Sequence, residues 1–138
     1  MNPQEKPIIS ASGEIDRLPD AMLDIMLVLW AEGRPMKATE ILTALGLKHT
    51  WKRATLHVLL DRLEERGFLS TKEVSNYKLY TPLISEDDYI ALESKTILQK
   101  LCRGSFSTLA SSLIRSRSLT ENDLSELSAL IEENKKTV

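Results

Sequence analysis

One stretch limits what this chain can become, the run from His49 to Gly67. Leu56, Leu59, Leu60 and Leu63 recur in it at helical spacing, so one face must bury against other elements. Thr50 is placed to cap its start with a hydroxyl, and Gly67 to end it on left-handed backbone. Charge is unevenly spread along the same helix. The first half carries His49, Lys52, Arg53 and His57 with no carboxylate, and Asp61, Glu64 and Glu65 follow only in the second half. A helix that opens cationic adds its own dipole to that charge and points both at an anion. A nucleic-acid backbone is the anion that fits.

The flanking segments set the context. Met1 to Asp16, with Pro3, Pro7 and Gly13 and no sustained periodicity, reads as a flexible N-terminal arm (1–16). Pro19 suits a first helical turn, after which Met22, Ile25, Met26 and Leu29 form an apolar face that Gly33 and Pro35 close. A second short helix follows, with Ala38, Ile41, Leu42 and Leu45 inward. Gly46 to His49 then turns the chain into the basic helix, which makes a helix-turn-helix. Beyond Gly67 the period changes to two in Phe68–Lys72 and Tyr77–Thr81. Ser75 and Asn76 form the hairpin tip between them, and Pro82 ends the second strand. The predicted fold is mainly α with a small β-hairpin wing: a winged helix-turn-helix DNA-binding domain over 17–82.

The remainder, 83–138, reads as helical. Ser85 to Asp88 resembles a capping box, Gly104 breaks the apolar pattern, and Thr120 to Asp123 opens a last helix. Leu98, Leu101, Phe106, Leu109, Leu113, Leu124, Leu127 and Ile131 form stripes that a self-contained winged helix does not need. A second copy of the chain is the simplest cover for them, so C-terminal dimerisation helices in a two-fold homodimer are expected.

Totals exclude several classes. A net charge of −2 over 138 residues argues against indiscriminate coating of nucleic acid but not against a local basic face. A single cysteine, Cys102, forms no intrachain disulfide, and the N-terminus lacks a continuous apolar run, so a cytoplasmic protein without membrane association is expected. No glycine-rich phosphate loop, spaced metal cluster or partnered nucleophile is present, so neither enzyme nor cofactor is expected. His49, His57 and Cys102 match no metal-ligand spacing.

Leu23 to Trp30, Ala38 to Ile41, Trp51 to Gly67, Tyr77 to Pro82, Glu86 to Asp88 and the final Leu-rich helix together resemble the penicillinase-repressor family of bacterial transcription factors, the BlaI/MecI/CopY type. The resemblance runs from about Leu18 to Lys135. It implies a dimeric repressor with the basic helix of about 50–66 in the major groove of a palindromic operator. Carried over, the DNA contacts fall at Lys52, Arg53, Ala54, Thr55 and His57. Thr50 and the wing residues Asn76 and Lys78 join them as backbone contacts.

Three departures from the family pattern matter. Ala54 and His57 stand where some relatives carry Lys and Arg. The paired cysteines of copper-responsive members are missing. The Asn-Phe bond that a sensor protease cuts in resistance members aligns with Ser112-Leu113, so that cleavage is not carried over and the inducer, protease or ligand, stays open. Two other readings compete: a winged-helix protein-interaction adaptor, which the acidic balance favours, and a ligand-responsive regulator with a pocket near the dimer interface.

Overall fold

The structure, a computed structural model, describes residues 17–46 and 48–135; the predicted arm lies outside them. Two compact units meet at 95/96.

In the first unit, α1 (Asp20–Glu32) starts one residue later than the sequence suggested. Pro19 precedes the helix, with its carbonyl accepting the Leu23 N–H at 2.9 Å. Gly33 ends α1 at φ 66, its N–H bonded to the Leu29 carbonyl. Helix α2 spans Ala38–Leu45 and α3 spans Arg53–Glu65. The predicted Thr50 cap does not form. Thr50 lies in the connecting loop, the residue before α3 is Lys52, and no side chain caps the helix. Lys48 and His49 belong to that loop too, so the linker between α2 and α3 is longer than the Gly46–His49 turn read from sequence.

The C-terminal end of α3 follows its prediction closely. Gly67 sits at φ 82, its N–H reaching the Glu64 carbonyl at 3.0 Å while the Phe68 N–H reaches Leu63 at 2.9 Å. These two bonds form a Schellman motif, and Phe68 then packs back over the helix it terminates. A side chain at position 67 is strained whatever space surrounds it. Gly67→Ala is expected to cost about 1 kcal/mol or more of unfolding free energy. Equilibrium urea melts check this, and an unchanged midpoint would contradict it.

Strands β1 (Leu69–Val74) and β2 (Tyr77–Pro82) pair antiparallel from Leu69↔Pro82 to Val74↔Tyr77, with Ser75 turning the tip at φ 57. A feature absent from the sequence reading ties the wing down. Met36, just before α2, forms an isolated antiparallel bridge with Tyr80, through bonds of 3.1 and 2.8 Å.

The core of this unit collects Met22, Ile25, Met26 and Leu29 from α1, Ile41 and Leu45 from α2, Leu56, Leu60 and Leu63 from α3, and Phe68, Leu69 and Tyr80 from the wing. Each predicted apolar face is thus the buried one, although Leu59, Leu42 and Ala38 are only half-buried. Helix α4 (Glu86–Thr96) starts at the predicted Ser85 cap, whose Oγ accepts the Asp88 N–H at 3.1 Å. Its Tyr89 belongs to this core, ring edge-on to Phe68 at 5.9 Å and tilted against Trp30 at 5.5 Å. The Tyr89 hydroxyl accepts the Leu18 N–H at 3.3 Å; burial first, and then its bond to Glu93, push its pKa to about 12. Trp30 donates its indole N–H to the Ile84 carbonyl at 2.9 Å. The compact boundary therefore falls after Lys95, where sequence had suggested 82/83.

The second unit begins with a π-turn at Ile97–Leu101, then passes through left-handed Arg103 and Gly104 into α5 (Phe106–Arg115) and α6 (Glu121–Asn134). Gly104 thus interrupts the helix as its position suggested. The predicted Thr120 start is a reciprocal box, with Asp123 N–H to Thr120 Oγ1 at 3.1 Å and Thr120 N–H to Asp123 Oδ2 at 2.8 Å. No described helix is long and apolar enough to cross a membrane.

Candidate nucleic-acid interface

The first turn of α3 has an N-terminus without a side-chain cap and without an acid. Its backbone N–H groups and dipole are left to whatever anion approaches. Lys52, Arg53, Ala54 and Thr55 are exposed there, and His57 is half-buried one turn on.

Arg53 and His57 form one wall of a groove of about 270 Å³. The wing supplies Asn76, Tyr77, Lys78 and Tyr80, and the start of α2 supplies Lys37, Ala38 and Thr39. No carboxylate lines it. Four of the sequence-derived set, Arg53, His57, Asn76 and Lys78, are thereby brought to one surface, while Lys52, Ala54, Thr55 and Thr50 do not line the groove. The sequence reading missed Lys37, Thr39 and Tyr77. Lys37 Nζ stands 4.1 Å over the Tyr77 ring, which holds an ammonium beside the wing. The Met36–Tyr80 bridge helps bring the start of α2 to the wing, and a one-residue bridge has no periodicity to read. Nearby Arg34 is already matched, at 2.8 Å from Glu40 and 3.6 Å from Glu32.

His49 corrects the sequence reading, which counted it with the outward-facing cations. Its Nε2 lies 2.7 Å from Oδ2 of Asp24, a buried carboxylate on α1, and Lys48 Nζ donates to Oδ1 at 2.9 Å. Trp51 stacks on the His49 ring at 4.2 Å. These contacts fasten the loop before α3 to α1 and thereby fix where the helix begins. The predicted packing role for Trp51 holds, since it lies partly buried against the core.

The hydrogen bond from His49, with Lys48 beside it, holds the Asp24 carboxyl below its ordinary value of 3.8 against the opposing effect of burial. A depressed folded-state value gives stability that is present above the unfolded pKa and lost as pH falls through the folded one. Asp24→Asn is therefore expected to lower stability at pH 5, with the gap to wild type narrowing as pH falls below about 4. Urea melts across that range test it, and a gap independent of pH would contradict it.

An acid-free helix start projecting beside a β-hairpin, on a three-helix core, defines a winged-helix DNA-binding protein. The penicillinase repressor family model matches residues 18–133. The Bacillus licheniformis penicillinase repressor is 28% identical over 88% of this chain and 94% of its own. The methicillin resistance regulatory protein MecI of Staphylococcus aureus strain N315 is 24% identical over 86% of this chain and 94% of its own. A solution structure of monomeric Bacillus licheniformis BlaI with the blaP half-operator is 32% identical over 56% of this chain and 93% of that one, with a TM-score of 0.47. The chain belongs to the penicillinase repressor family, whose members are transcriptional repressors rather than enzymes, and it is a DNA-binding transcriptional repressor.

Proposed function

We propose that the chain represses transcription in the cytoplasm as a homodimer on a two-fold symmetric operator. In this reading the first half of α3 enters the major groove. Lys52 and Arg53 take guanine edges or phosphates, Thr55 and Ala54 meet thymine methyls, and His57 takes a base edge or phosphate. Thr50, Asn76, Lys78 and the newly found Lys37 hold the flanking backbone. The observation that carries this is the uncapped, acid-free start of α3 opening beside a groove lined by Lys37, Arg53 and Lys78. The unit that ends at Lys95 reads the duplex and the unit that begins at Thr96 joins the copies. Among the latter, Leu101, Phe106, Leu113, Leu124 and Ile131 are exposed within the chain, which supports that role, and Leu98, Leu109 and Leu127 are half-buried.

Release by cleavage at Ser112–Leu113 is not part of the proposal. That bond lies inside α5, with Ser112 Oγ donating to the Thr108 carbonyl at 2.8 Å. A protease would have to unwind the helix to reach it.

Selection from a randomised duplex pool tests the reading. A two-fold symmetric consensus is expected, with half-sites about one or two helical turns apart. Failure to enrich any sequence would overturn it and favour the adaptor alternative.

A further inference from the structure

Helix α3 carries apolar side chains on two opposite sides. Leu56, Leu60 and Leu63 face the core. On the side turned away from them, by the helical period, stand Ala54 and Val58, one turn apart; Ala54 is exposed and Val58 is 49% exposed. Farther along, the same outward line turns acidic, with Asp61 and Glu65 both exposed. Neither packing nor helix propensity accounts for Val58. It is not part of the core, and a β-branched side chain is a poorer helix former than the alanine, lysine or glutamate that suits an exposed helix position.

Neither Ala54 nor Val58 has a side-chain atom that can hydrogen-bond. In a major groove the base pairs are told apart by donors, by acceptors and by the thymine 5-methyl, and of these only the methyl is apolar. A surface made of alanine and valine methyls therefore gains from that group, whereas a polar base edge set against it is left without a partner. At the helical rise the two residues are about 6 Å apart along α3, close to two base steps of about 3.4 Å. Asp61 and Glu65 mark where this outward line stops reading bases, because a carboxylate entering a phosphate-walled groove is repelled.

We propose that Val58 is a specificity-determining residue of the operator complex, its methyl groups packed on the 5-methyl of a thymine about two base steps from the one that Ala54 meets. The proposal rests on the reading that α3 enters the major groove, and adds to it a residue and the base that residue selects.

Fluorescence anisotropy of the full chain on its selected operator tests it. Each thymine of one half-site is replaced in turn by deoxyuridine, which removes the 5-methyl and keeps every hydrogen-bonding atom of the base. Wild type is expected to lose about 3- to 5-fold in affinity at two positions about two base steps apart. Val58→Ala exchanges an exposed residue for a better helix former, so the fold survives it. This variant should bind the thymine and uracil duplexes equally at one of the two positions and keep the wild-type penalty at the other. A purely structural role for Val58 would weaken all duplexes alike and leave both penalties in place, which would overturn the proposal. Wild-type binding that stays sequence-selective yet is indifferent to every uracil would overturn it too, while leaving DNA binding by α3 intact. A randomised pool that enriches no sequence at all would overturn that underlying reading instead.

Discussion

Replacing Lys52 and Arg53 together with alanine is expected to lower operator affinity by about 2–4 kcal/mol, roughly 30- to 1000-fold, at physiological salt. Both side chains are exposed at the start of α3 and bury nothing in the core, so the fold survives their loss. The expected effect is large because the N–H groups of that turn have no side-chain cap. The cations and the helix dipole act on the same anion there, and no carboxylate in the turn offsets them. The salt dependence separates this from a general loss of activity. Each phosphate contact removed should flatten the log–log slope by about 0.9. Fluorescence anisotropy on a labelled duplex reads both quantities. A variant with wild-type affinity would mean that α3 does not face the DNA.

Phe68→Ala is expected to be the most damaging single change to the first unit, costing about 3–5 kcal/mol. Phe68 is fully buried where three elements meet. Its N–H closes the end of α3, its ring meets Tyr89 of α4 edge-on, and the Arg66 guanidinium lies 5.5 Å from the ring centroid. Alanine leaves a cavity bounded by a helix end, a strand and a second helix, none of which can collapse without moving the others. Since a small domain has only about 5–15 kcal/mol in total, much of the stability goes. Urea denaturation followed by far-UV circular dichroism measures it. A loss below about 1 kcal/mol would show that this junction is not where the winged helix is held together.

The parts of the fold legible in sequence are those fixed by local chemistry. Apolar spacing marked the faces of α1, α2 and α3, because a helix has one inward face and leucine or methionine fills it. Gly33, Gly67 and Gly104 marked breaks because all three sit at positive φ. Features made by distant pairing were not legible. The Met36–Tyr80 bridge brings Lys37 to the wing, and Asp24 takes Lys48 and His49 from the next loop but one. Neither leaves a periodic trace. For the groove this means that Arg53, His57, Asn76 and Lys78 were among the residues the sequence singled out, as the basic helix and its hairpin, and these do line it. Lys37, Thr39 and Tyr77 needed the tertiary structure. Tyr89 illustrates the same limit in the core: its helix reads as part of the C-terminal stripe, yet the ring belongs to the winged helix.

In the proposed reading, one groove built from the start of α2, the start of α3 and the wing is where the duplex binds. Backbone amide NMR of the chain titrated with its selected operator tests it most directly. Shifts concentrated at 37–39, 52–57 and 76–78, and absent from α6, are the predicted result. Perturbations centred elsewhere, or none while binding is complete, would contradict the account.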